Sequence, residues 1–145
     1  MAPHILLNPN ATVTKRQRKQ LPWPLPVKPV YMIKQILKHD LVEAAKVAAE
    51  EQHPTAIQGP VVVVVTIAYD KGRIIPDFDN AVATLKGAID GVTQGGFMRN
   101  DKQVIGIFLR MIKDPAKQGY IDLTVRDATT VEVREYTEGV IHADL

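Results

Sequence analysis

Cysteine is absent from the 145 residues. That removes disulfide frameworks, thiolate metal sites and cysteine nucleophiles together, and it fits a reducing compartment. Histidine is sparse and scattered (His4, His39, His53, His142), so no zinc site is expected. A single tryptophan, Trp23, reads as a core residue. No apolar run approaches the ~20 residues that span a bilayer, because the longest, 61–68, is interrupted by Thr66. The opening MAPHILLNPN has no cationic start followed by a long apolar stretch, so no secretory leader is expected there. These absences predict a soluble, cytoplasmic protein without a membrane partner. Acidic residues are missing from positions 1–39, which hold Lys15, Arg16, Arg18, Lys19, Lys28, Lys34 and Lys38. With a net charge of +2 for the whole chain, the remaining residues sum to −5. A basic segment on a mildly acidic body is a footprint of nucleic-acid binding, since lysine and arginine displace counterions from phosphate. The alternative is a solvated tail.

The length suits one domain, and 46% hydrophobic residues suffice for a core. Residues 1–20 read as an irregular basic arm, 21–137 as the domain and 138–145 as an acidic tail. Leu21-Pro22-Trp23-Pro24-Leu25-Pro26 is kept out of a helix by its prolines and reads as an edge strand or rigid lead-in. A helix is predicted from Val30 to Glu51, with Val30, Ile33, Leu37, Leu41, Ala44 and Ala48 forming one apolar stripe at steps of three and four. Val61–Tyr69, with five consecutive valines, reads as a central strand covered on both faces. A second helix is predicted from Asn80 to Val92 on the stripe Val82, Leu85, Ile89 and Val92, ended by Gly95-Gly96. Strands follow at Gln103–Ile112, at Tyr120–Arg126 with clean alternation, and more weakly at Thr129–Tyr136. The pattern predicts an α+β fold: two main helices packed on a mixed sheet of four to five strands.

The acidic residues carry the chemistry. In Pro76-Asp77-Phe78-Asp79-Asn80, two carboxylates stand two positions apart at the end of an extended segment, so their side chains leave the same face. Asn100-Asp101-Lys102-Gln103-Val104 contributes a third carboxylate at the start of a strand expected to lie beside that segment. An all-oxygen set selects a hard cation, Mg²⁺ with Mn²⁺ able to substitute. The competing reading makes Asp-x-Asp-Asn a helix cap and a turn, Asp101 a turn residue, and Lys86 an ion-pair partner of Asp90 four residues on.

In combination, the segments LPWPL (21–25), PDFDNAVATLKGAIDGV (76–92) and NDKQV (100–104) resemble the RusA family of Holliday junction resolvases, in the family's order, over about residues 21–126. The resemblance implies a small mixed α/β fold, a homodimer and Mg²⁺-dependent nicking of four-way DNA junctions. It makes Asp77, Asp79 and Asp101 metal-binding residues and Lys86 the catalytic lysine. Lys86 stands about one helical turn further from the Asp-Asn pair than is usual, and Asn100 replaces the first acidic residue before Gln-Val.

On this reading a metal-activated water attacks the phosphodiester while Lys86 offsets the developing negative charge. Asn80 orients a carboxylate or a water from behind. The arm residues Lys15, Arg16, Arg18 and Lys19, with Lys28, Lys34, Lys38, Arg99 and Lys102, hold backbone phosphates of the branched DNA. Two rivals remain open: a non-catalytic DNA-binding accessory protein with a structural ion, and a metal-dependent nuclease acting on other branched DNA.

Overall fold

Five consecutive valines begin β2 (Val61–Asp70), the strand on which the sheet is organised. The computed structural model describes residues 2–7, 31–70, 78–114 and 119–139, excluding the side chains of 31–39, Asp70, Phe78 and Asn80. In chain order the elements are β1 (His4–Leu7), α1 (Tyr31–Glu50), β2, α2 (Phe78–Gln94), a 3-10 turn (Asp101–Gln103), β3 (Val104–Asp114), β4 (Tyr120–Asp127) and α3 (Thr130–Glu138). The sheet order is β1-β4-β2-β3. β2 pairs in parallel with β3 and antiparallel with β4, and β1 closes the far edge antiparallel to β4. The fold is therefore α+β on a four-stranded mixed sheet.

One sheet face is dry. Val63, Val65 and Ile67 of β2, Ile121, Leu123 and Val125 of β4, and Ile5 and Leu7 of β1 all point to it. Leu41, Ala45 and Ala49 of α1 and Ala81, Leu85, Ala88, Ile89 and Val92 of α2 cover it. The two helices meet through small residues. A Cβ on Gly91 would stand 2.4 Å from the Ala45 Cβ and 2.5 Å from the Val42 carbonyl oxygen. One on Gly95 would stand 2.5 Å from the Ala49 Cβ. Only glycine permits this approach of backbones. Among the described residues, none of the helices is long and apolar enough to cross a membrane.

Four expectations need correction. Residues 1–20 are not wholly irregular, because His4–Leu7 form β1 against Ile121–Thr124. The last strand, Thr129–Tyr136, is instead the helix α3. Thr129 and Glu132 form a capping box at its start, and Arg126 donates two hydrogen bonds to Glu132, at 2.7 and 2.9 Å. β2 is covered on its second face only in part: Val62 and Ala68 are buried there, but Val64 stays 39% exposed beside Phe108 at 58%, on the face away from α1 and α2. Val82, assigned to the buried stripe of α2, is 39% exposed, and Ala81 and Ala88 are buried instead. The segment LPWPL, Trp23 and residues 73–75, expected to lead into the aspartate pair, lie outside the described residues.

Candidate functional site

α2 begins at Phe78, which places Asp79 in the first helical turn rather than at the end of an extended segment. A carboxylate there faces the partial positive charge of the helix N-terminus. Helix geometry then aligns the chemistry. At 100° per residue, Asp79, Lys86 and Asp90 fall within about 20° of one meridian. Along the axis Lys86 lies about 10 Å from Asp79, and Asp90 about 16 Å.

The end of α2 aims the chain at Asp101. Gly96 has φ +99°, Phe97 N–H donates to Val92 O at 3.0 Å and Gly96 N–H donates to Thr93 O at 3.2 Å. This is a Schellman closure, which a left-handed glycine makes possible. Phe97 and Met98 then plunge into the core, and the chain surfaces at Arg99 and Asn100. Asn100 caps the 3-10 turn, its side-chain oxygen accepting from Lys102 N–H at 2.7 Å. An asparagine serves this cap as well as an aspartate does, so the departure from an acidic residue leaves the turn intact.

Gln103 secures the same turn. Its side-chain nitrogen donates to the carbonyls of Ile57 and Gly59, both at 2.8 Å. Its oxygen accepts from Arg99 N–H at 2.7 Å and Asn100 N–H at 3.1 Å. Nothing in the sequence reading singled out this role, although a glutamine three positions after a cap residue is the signature of a capping box.

Between α2 and the start of β3 lies an open groove of about 360 Å³, lined by Val82, Leu85, Lys86, Ile89, Asp90, Asp101, Val104 and Ile107. Its floor is apolar and its rim carries one cation and two carboxylates. No ion pair joins Lys86 to Asp90, so the pairing offered as the competing role of Lys86 is not made. Lys86 and Asp101 are exposed and Asp90 is half-buried, so all three can meet a solvent-borne ligand.

The parallel pairing of β2 with β3 separates what the sequence reading put together. β3 starts beside Val61, whereas the chain leaves β2 toward Asp77 from Asp70, at the other end. Asp101 therefore lies with Lys86 and Asp90, and Asp79 is not among the residues lining their groove. Asp77, Lys15, Arg16, Arg18, Lys19, Lys28 and the side chains of Lys34, Lys38 and Asn80 lie outside the described residues. Arg99 and Lys102 are exposed on either side of Asp101, with Arg99 donating to the Gln58 side-chain oxygen at 3.2 Å.

Among the described residues, no three histidine, aspartate or glutamate side chains converge on one point. The groove still fits Mg²⁺, which is commonly held by one or two carboxylates together with substrate phosphate and several waters. Asp90 and Asp101 supply two oxygen-donor groups, and no thiol is present to favour a softer ion. Compared with known proteins, the chain matches no family model and no curated sequence.

Proposed function

We propose that this protein is a Mg²⁺-dependent endodeoxyribonuclease that nicks four-way DNA junctions, with the groove beside α2 as its reaction site. The observation that carries the reading is that Lys86, Asp90 and Asp101 line one open groove, none of them ion-paired among the described residues. The resemblance to junction resolvases supplies the substrate, and the acid-free basic stretch over residues 1–39 supplies a means of holding it. A homodimer acting in the cytoplasm belongs to the same reading, because a two-fold pair of sites matches the two symmetric strands of a junction.

Asp90 and Asp101 would hold the cation. A Mg²⁺ ion held by them would supply a water of lowered pKa and polarise the phosphoryl oxygens. The Lys86 ammonium faces the same space and stabilises the negative charge that develops as the water oxygen bonds to phosphorus and the ester P–O bond breaks. Arg99 and Lys102, exposed within two residues of Asp101, would grip neighbouring phosphates without reading bases. The resemblance adds Asp77 and Asp79 as further metal ligands, and Asp79 stands at the opposite end of α2.

The test is an end-labelled four-way junction beside a linear duplex of matched sequence, each with Mg²⁺ or EDTA. Paired symmetric nicks in the junction alone are expected. Asp101→Asn should lower the rate by more than the roughly 10- to 100-fold typical of losing a residue that merely orients a ligand. Junction binding without cleavage in Mg²⁺ or Mn²⁺ would refute the enzyme and favour an accessory protein. Equal cutting of both substrates would retain the nuclease and remove the junction.

A further inference from the structure

Among the described residues the Asp101 side chain has no hydrogen-bond or ion-pair partner, yet the turn that carries it is held from both sides. The constraint comes from Gln103. A glutamine amide offers two N–H donors and one oxygen with two lone pairs, and here all four are used. The nitrogen faces the carbonyls of Ile57 and Gly59, and the oxygen faces the amides of Arg99 and Asn100. One half-buried side chain thus ties the lead-in to β2 to the two residues before Asp101. The backbone completes the clamp. Ile57 N–H donates to Phe97 O at 3.0 Å, Gln103 N–H donates to Asn100 O at 3.2 Å, and Val104 N–H closes on Asp101 O. Residues on both sides of Asp101 are therefore held while its exposed side chain lines the groove.

No other common side chain reproduces this pattern. Glutamate keeps the oxygen but sets a negative charge against two carbonyls. Methionine keeps the shape and loses all four bonds. Asparagine lacks the reach.

We infer that Gln103 is the positioning residue of the site: by clamping the 57–59 and 99–100 segments it aims the Asp101 carboxylate and so sets the affinity for a divalent cation. The inference rests on the metal-dependent reading above but not on the choice of DNA substrate. Gln103 touches neither substrate nor metal, and its effect passes entirely through Asp101.

The experiment measures Mn²⁺ binding by calorimetry, in the absence of DNA, on the full chain. The proteins are wild type, Gln103→Met, Gln103→Glu, Asp101→Asn and the double variant Gln103→Met/Asp101→Asn, with thermal unfolding and the Mg²⁺ dependence of junction cleavage recorded beside it. Gln103→Met should weaken Mn²⁺ binding by roughly 10- to 100-fold, the range found when a ligand-orienting partner is lost. High Mg²⁺ should restore its cleavage rate. Gln103→Glu keeps the acceptor bonds to Arg99 and Asn100, so it should fall between, and it serves should the methionine variant not fold. In the Asp101→Asn background the methionine change should weaken binding no further, because the residue it acts through is already gone.

A lowered melting temperature with unchanged Mn²⁺ affinity would overturn the inference, leaving Gln103 a stabilising residue only. So would an undiminished effect in the Asp101→Asn background. Wild-type protein that binds Mn²⁺ through Asp101 but leaves junctions intact would sink the proposed substrate and leave the positioning role standing. Wild-type protein that binds no divalent cation would sink both.

Discussion

Gly91→Ala adds a single methyl group, and the structure gives it no room. Its Cβ would stand 2.4 Å from the Ala45 Cβ, 2.5 Å from the Val42 carbonyl oxygen and 3.1 Å from the Lys46 amide nitrogen. Two of these neighbours are backbone atoms and the third is fixed to its backbone by one bond. No rotamer change relieves the contact, so α1 and α2 must separate. Overpacking costs typically 1–3 kcal/mol and occasionally more, and a contact blocked by backbone belongs at the upper end. Against this, replacing glycine inside a helix gains up to about 1 kcal/mol. The net is a destabilisation of about 2 kcal/mol, which at this chain length lowers the melting temperature by roughly 4–8 °C. Urea unfolding followed by circular dichroism, with matched m-values, measures it. Gly59→Ala is the control: its Cβ meets nothing within 4 Å, so a change within about 0.5 kcal/mol is expected. Adding Ala45→Gly to Gly91→Ala should recover part of the loss but not all, since the clash with Val42 O remains. A Gly91→Ala protein as stable as wild type would refute the reasoning, because the spacing of α1 and α2 would then not be set at this contact. Separation of the helices also carries Lys86 and Asp90 away from Asp101, so cleavage should fall with stability.

Glu132 is held at a pKa of about 2, first by its hydrogen bonds from Arg126 and next by that from the Thr129 amide. A depressed carboxylate stabilises the fold above its unfolded value near 4.5 and loses that contribution as pH falls toward about 2. The protection of α3 amides relative to intrinsic exchange should therefore fall across this window, and Glu132→Gln should flatten the dependence. A Glu132 titration midpoint near 4.5 by NMR would overturn the assignment. Phe97→Ala, at a fully buried site, should cost about 3–5 kcal/mol in urea unfolding. Phe108→Ser, on the open sheet face, should cost far less. Asp90→Asn should weaken Mn²⁺ binding if the groove holds the cation, whereas Asp79→Asn reports on the other end of α2 alone. Loss with Asp79→Asn and none with Asp90→Asn would move the metal away from the groove.

The central elements were legible because each declares itself within a few residues. β2 is a run of β-branched residues, α1 and α2 carry stripes at steps of three and four, and β4 alternates from Tyr120 to Arg126. β1 was not legible: four residues carry little periodicity, and its pairing depends on Ile121–Thr124, more than a hundred positions away. At α3, Val131 and Val133 alternate with polar residues and suggest a strand. The decisive signal was Thr129-x-x-Glu132, a capping box, reinforced by Arg126 from the preceding strand. The stripe of α2 was displaced toward Ala81 and Ala88 because small residues at Gly87, Gly91 and Gly95 draw that face onto α1.

For the candidate site, the sequence offered residue types but not their grouping in space. An aspartate pair followed by a third aspartate at a strand start suggests one cluster only if the third strand's beginning lies beside the pair. That condition depends on strand direction, which no local pattern encodes. β2 and β3 run parallel, as strands joined by a helical crossover do. A parallel crossover returns the chain to the end where β2 began. α2 thus spans the molecule with Asp79 at one end and Asp90 at the other, and Asp101 arrives at the second. The same topology gives Lys86 its place, two turns along from Asp79 and on the groove that Asp101 overlooks. A lysine later in the helix than the resemblance leads one to expect is, in this arrangement, one carried toward Asp101 rather than away from the site.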